Sequence, residues 1–78
     1  MTLFTVRKGR RYRATISLNW AERLAGNERI ARYLREAGFT EVDVSGRGAT
    51  RLATALWQHN DRAGEIPPQI VEIEEIEA

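Results

Sequence analysis

The feature that most constrains this chain is that its hydrophobic period changes twice, from two to about 3.6 and back to two, within 78 residues. Residues 12–18 alternate, with Tyr12, Ala14, Ile16 and Leu18 on one side and Arg13, Thr15 and Ser17 on the other, as a strand with one buried face requires. From Ile30 the spacing becomes helical: Ile30, Ala31, Leu34 and Ala37 share a stripe, while Glu28 with Arg32 and Arg32 with Glu36 form i,i+4 pairs on the wet side. Alternation returns over 41–45, with Val42 and Val44 inward, and again over 50–57. One helix flanked by strands places the chain in the α+β class.

The punctuation agrees with these boundaries. Lys8-Gly9 lies between the β-prone residues 3–6 and the strand 12–18, which predicts an N-terminal hairpin. Asn19 followed by Glu22 is a capping-box pattern, so residues 20–24 form a short helical turn until Gly26 interrupts it, and Asn27 is expected to cap the main helix. Gly38 suits the left-handed residue beyond the helix end, with Phe39 folding back on Leu34. Gly46-Arg47-Gly48 supplies the turn of a second hairpin, and residues 58–68, with a glycine and two prolines, read as a loop. The last segment, 69–77, fits two periods. Val71 and Ile73 alternate with acids, but Ile70, Ile73 and Ile76 stand three apart as on a helix; the β-branched composition favours the strand.

The order β-β-α-β-β-β then describes one domain over residues 1–78, a small ferredoxin-like-type sandwich with one main helix on a mainly antiparallel sheet of four to five strands. In the split β-α-β form of that plan, 50–57 inserts beside 12–18, and the small residues Ala14, Ala53 and Ala55 lie centrally beneath a closely packed helix.

An aromatic residue leading into the alternating strand 12–18, an Asn-led helix over 27–38 ending in Gly38, and an Arg-led strand over 51–57 ending in Trp57 together resemble sporulation-related repeat (SPOR) domains. The resemblance covers about two thirds of the chain and implies a ferredoxin-like module that binds bacterial cell-wall glycan on its sheet face. The chain departs from that family in lacking its glycine and small-residue signature near the end of the first strand and a second helix before the last strand. No binding residue is carried over.

Composition narrows the function classes. The chain has no cysteine, so disulfides, thiolate metal sites and thiol nucleophiles are excluded, and packing and pairing alone hold the fold. No stretch approaches the roughly 20 apolar residues of a membrane span, and the short apolar start precedes its arginines rather than following them. The expected setting is soluble and cytoplasmic, with no membrane partner.

Candidate catalytic chemistry is sparse. His59, the sole histidine, with Asn60 and Asp61 gives too few groups for a zinc site, and these read as loop residues. The hydroxyls of Thr15, Ser17, Ser45, Thr50 and Thr54 sit in strand patterns without a nucleophile motif, and Gly46-Arg47-Gly48 matches no phosphate-binding fingerprint. No catalytic, cofactor-binding or metal-binding residue is assigned, and the chain reads as a non-enzyme.

The formal net charge is +1, but Arg7, Lys8, Arg10, Arg11 and Arg13 form a basic run while Glu65, Glu72, Glu74, Glu75 and Glu77 make the C-terminus acidic. Either the run contacts a nucleic acid, with Tyr12 or Trp57 stacking on a base, or it faces the acidic tail within the fold. Trp20 and Trp57 are expected toward opposite ends of the central strands, one or both closing a small core. The apolar residues Ile70, Val71, Ile73 and Ile76 offer an edge that could pair with a second copy. Function is thus expected to be that of a protein-interaction domain whose partner is protein or a second copy. The alternative is a nucleic-acid-binding accessory protein using the five cations.

Overall fold

The computed structural model describes residues 3–20, 22–24 and 26–76. In chain order the elements are β1 (Leu3–Val6), β2 (Arg10–Ser17), one turn of 3₁₀ helix (Glu22–Leu24), α1 (Asn27–Glu36), β3 (Thr40–Arg47), β4 (Thr50–Trp57), β5 (Arg62–Glu65) and β6 (Ile70–Ile76). The fold is α+β, with one α-helix and six strands in two antiparallel sheets among the described residues. None of the described helices is long and apolar enough to cross a membrane.

The larger sheet has the order β3-β4-β2-β6. β4 pairs with β2 along its full length, as expected for 50–57 beside 12–18, with Ala14 opposite Ala53 and Tyr12 opposite Ala55. The ambiguous C-terminal segment is a strand, antiparallel to β2, with Ile73 opposite Ala14 and Ile70 opposite Ile16. One face of this sheet carries the buried Tyr12, Ile16, Leu18, Ala53, Ala55 and Trp57. Ile30 and Leu34 of α1, with Val44 and Ile70, pack against the Ile16, Leu18 and Ala53 cluster.

The ending of α1 is set by backbone chemistry. Phe39 N–H donates to the Leu34 carbonyl at 3.1 Å and Gly38 N–H to the Arg35 carbonyl at 3.0 Å, with Gly38 at φ +116, so both orphan carbonyls are satisfied by a left-handed residue. A side chain at Gly38 would also meet the Trp57 ring at 3.0 Å.

Four expectations are corrected. β1 does not form a hairpin with β2: the Lys8-Gly9 turn forms, with Arg10 N–H donating to the Arg7 carbonyl at 3.2 Å, but β1 pairs with β5. The reason is valence, because β4 and β6 already occupy both edges of β2. Within 58–68, expected as a loop, residues 62–65 accordingly form a strand, recruited by β1 despite weak β propensity. The helix cap is Gly26, with no side-chain cap bond, and Asn27 lies in the first helical turn. On the helix surface Glu28 is held by Arg35, two turns away, instead of Arg32.

Candidate functional site

Two features remain after the core is accounted for, a cavity on the helix side of the sheet and a loop at one end of it.

The cavity follows from small side chains. α1 packs chiefly on β3, with lesser contact to β4, and the β1–β5 ribbon leans on the sheet through Phe4, whose ring meets Tyr12 edge-on at 5.6 Å. Between helix and ribbon the middle of the sheet carries the small residues Ala14, Ala53 and Ala55, flanked by Tyr12, Trp57, Ile70 and Ile73, and a largely apolar space of about 390 Å³ is left beside them. The cluster that holds Ala53 packs under Ile30 and Leu34 of α1, as expected, while Ala14, Ala53 and Ala55 also line the cavity beside the helix. Phe39 and Trp57 line its aromatic end, packed on each other at 5.0 Å. Its lining also includes three charged residues, Glu36, Arg62 and Glu65, and among the described residues these make no ion pair.

The described residues of the loop after β2 combine backbone tethers with exposed apolar side chains. Asn19 and Glu22 form the reciprocal capping box: Asn19 N–H donates to Glu22 Oε1 at 2.9 Å and Glu22 N–H to Asn19 Oδ1 at 2.8 Å. Gln69 Nε2 donates to the other Glu22 oxygen at 2.7 Å, tying the loop to the entry of β6. The Asn19 backbone N–H, and then the Gln69 amide, hold the Glu22 carboxyl below the ordinary glutamate range by favouring its charged form.

The third tether is Arg51, which the β4 alternation turns inward. Its guanidinium, on a residue only 5% exposed, donates to Asn27 Oδ1 at 2.7 Å, to the Arg23 carbonyl at 3.1 Å and to the Gly48 carbonyl at 3.2 Å. Asn27 Nδ2 in turn donates to the Gly46 carbonyl at 3.0 Å. Gly46, at φ +96, leaves the necessary room, since a side chain there would lie 2.9 Å from the Thr50 carbonyl and 3.3 Å from Arg51 Cα.

On this tethered segment Trp20 is 83% and Leu24 91% exposed, with the Arg23 guanidinium 5.9 Å from the indole centroid. Trp57 closes the core as expected, its Nε1–H bonded to the Asn60 carbonyl at 2.8 Å, but Trp20 does not. Arg51 was legible in principle: if Ala53, Ala55 and Trp57 face inward, period two turns Arg51 inward as well.

The basic run is dispersed over several partners. Arg7 and Arg10 reach Glu75, Arg11 reaches Glu41 at 2.8 Å, and Arg13 reaches Glu74. The Glu75 carboxylate raises the Arg7 guanidinium further above its ordinary value. Lys8 contributes its backbone N–H to Asp61 Oδ1 at 2.8 Å, and its ammonium makes no ion pair among the described residues. The structure thus sets three of the five cations against the acids of β6. His59 packs edge-on against Trp57 at 5.2 Å.

The sheet face away from the cavity presents Arg11, Arg13, Thr15 and Ser17 beside Thr50, Leu52 and Thr54, with Leu56 buried, and carries no aromatic platform for a base or sugar among the described residues. At the β6 edge Val71 is 62% exposed, while Ile70, Ile73 and Ile76 are partly covered. No known protein family matches the chain, nor does any curated protein or solved structure.

Proposed function

We propose that the protein is a small non-catalytic interaction domain that docks on protein through the loop carrying Trp20 and Leu24. The observation that carries this reading is the exposure of both side chains on a backbone tethered by Glu22, Gln69 and Arg51. Burying a large apolar side chain is worth about 1.5–3 kcal/mol, and a free loop would collapse toward the core to recover part of it. Here the polar tethers hold the pair outward, so the ordering cost of binding is met in advance. Trp and Arg are residue types that dominate binding energies at protein interfaces.

The ferredoxin-like reading of the fold belongs to the same proposal. It is supported by the order β3-β4-β2-β6 with α1 crossing between β2 and β3. In this reading the β1–β5 ribbon stands where a second helix would lie.

The test is quantitative affinity capture with the wild-type chain beside a Trp20→Ser, Leu24→Ser double variant. A protein captured stoichiometrically by the first and lost by the second is the expected result. The same proteins retained by both would remove the loop from the account.

A second reading keeps the nucleic-acid role of Arg7, Lys8, Arg10, Arg11 and Arg13. It is supported by the exposure of the paired guanidiniums, since the Arg7, Arg10 and Arg13 side chains are 54%, 51% and 47% exposed. Exposed pairs are worth about 0–1 kcal/mol, so phosphates could displace the glutamates.

A further inference from the structure

We infer that the partner of the Trp20 loop is a second copy of this chain, whose alanine-floored cavity receives Trp20 and Leu24. The inference rests on the interaction-domain reading and names its partner.

Surface area gives the first argument. The chain exposes 5459 Å², whereas a compact monomer of its mass, 8.9 kDa, is expected to expose about 4,800 Å². The excess of roughly 650 Å² approaches the ~800 Å² that each partner contributes to a standard interface. No side chain among the described residues is fully shielded, so the core gains from being covered.

Shape and charge give the second. The cavity of about 390 Å³ lies at the lower end of the ~300–1,000 Å³ range of ligand sites, and its apolar floor matches the indole and isobutyl groups in chemistry. Among its lining residues Glu36 and Glu65 outnumber Arg62, while the loop carries Arg23 against Trp20. Docking would bring that guanidinium to acids that have no ion pair among the described residues.

Topology gives the third. The loop follows the Ser17 end of β2, beside Thr50 of β4, whereas the aromatic end of the cavity lies where Arg10 meets Trp57 at the opposite end of the same strands. Trp20 and Leu24 are 83% and 91% exposed and do not line the chain's own cavity, so each junction joins the loop of one copy to the cavity of another. Two junctions close a two-fold pair, and one leaves a head-to-tail contact.

Gly64 allows the cavity to be plugged from the ribbon. It pairs with Phe4, so its substituent shares the inward face of the ribbon with the ring that meets Tyr12, and an added Cβ would meet nothing within 4 Å. The experiment is sedimentation equilibrium on wild type, Trp20→Ala with Leu24→Ser, Gly64→Phe, and an equimolar mixture of the two variants, each checked for cooperative unfolding. Wild type should associate with rising concentration. Loss of Trp20 should weaken association at least about 30-fold, the measure of an interface hot spot. Both variants should be monomeric alone, and the mixture should recover a heterodimer, because one supplies the loop and the other the open cavity. If Gly64→Phe does not fold, Ala14→Leu fills the floor instead.

A wild type that stays monomeric throughout overturns the inference, as does association that survives either variant. These results are distinct from failure of the interaction reading itself. A monomeric wild type that still captures another protein through Trp20 and Leu24 overturns only the second copy.

Discussion

Replacing Arg51 by methionine tests whether the loop is held as the structure describes. The substitution keeps most of the stem volume but strands Asn27 Oδ1 and the Arg23 and Gly48 carbonyls, which the guanidinium reaches at 2.7, 3.1 and 3.2 Å. Leaving a partly buried acceptor without a donor costs about 1 kcal/mol or more, so the sum over these acceptors is about 3 kcal/mol, with relief from no longer burying the charge offset by lost charge-assisted bonding. A chain of this length has a total stability on the order of 4–12 kcal/mol. With a urea slope near 1–1.5 kcal/mol/M, expected for a small domain, the midpoint should fall by about 2 M. Arg51→Lys should recover less than half of this loss, because an ammonium cannot fork to carbonyls on separate segments. Urea unfolding followed by far-ultraviolet circular dichroism gives the numbers. A shift below about 0.5 M for Arg51→Met, or full rescue by lysine, would refute the reasoning.

Gly38→Ala combines a φ of +116 with a Cβ 3.0 Å from the Trp57 ring, and should cost about 2 kcal/mol in thermal or urea unfolding. The Glu22 carboxyl lies below its ordinary value, so its tether is fully present above about 4.5 and is lost as the pH falls through the lower folded value. The Asn19 amide resonance should therefore titrate below 4.5, and Glu22→Gln should abolish that step. Titration with labelled single- and double-stranded oligonucleotides at low and physiological salt tests the second reading. Salt-sensitive binding lost in Arg10→Gln, Arg11→Gln would establish it, and binding unchanged by those replacements would remove it.

What the sequence made legible was local. The alternation of β2 and the inward faces of β3 and β4 follow from period two, and the end of α1 follows from Gly38, because these depend on neighbours within a few residues. The C-terminal strand was legible through its β-branched residues despite a competing helical spacing. The pairing of β1 with β5 was not, since it depends on both edges of β2 being taken by segments far away in the chain. Asn27 shows the same limit: its amide suits a cap, but the buried Arg51 and the Gly46 carbonyl claim it. That one or both tryptophans close the core follows from their apolar character, but which of them stands outside depends on the tethers at Glu22 and Arg51. Ala14, Ala53 and Ala55 mark a central place beneath the helix, yet the cavity that opens beside α1 depends on where the helix and the β1–β5 ribbon sit over the sheet.

The claim that Trp20 and Leu24 are displayed on a fixed loop is tested most directly by the heteronuclear NOE of the Trp20 and Leu24 amides and the Trp20 indole, with water exchange of the same groups. The account predicts NOE values as high as those of β2, rapid indole exchange with water, and a collapse of the loop values in Arg51→Met. Low NOE values in the wild type, like those of a frayed terminus, or an indole shielded from water in the monomer, would contradict it.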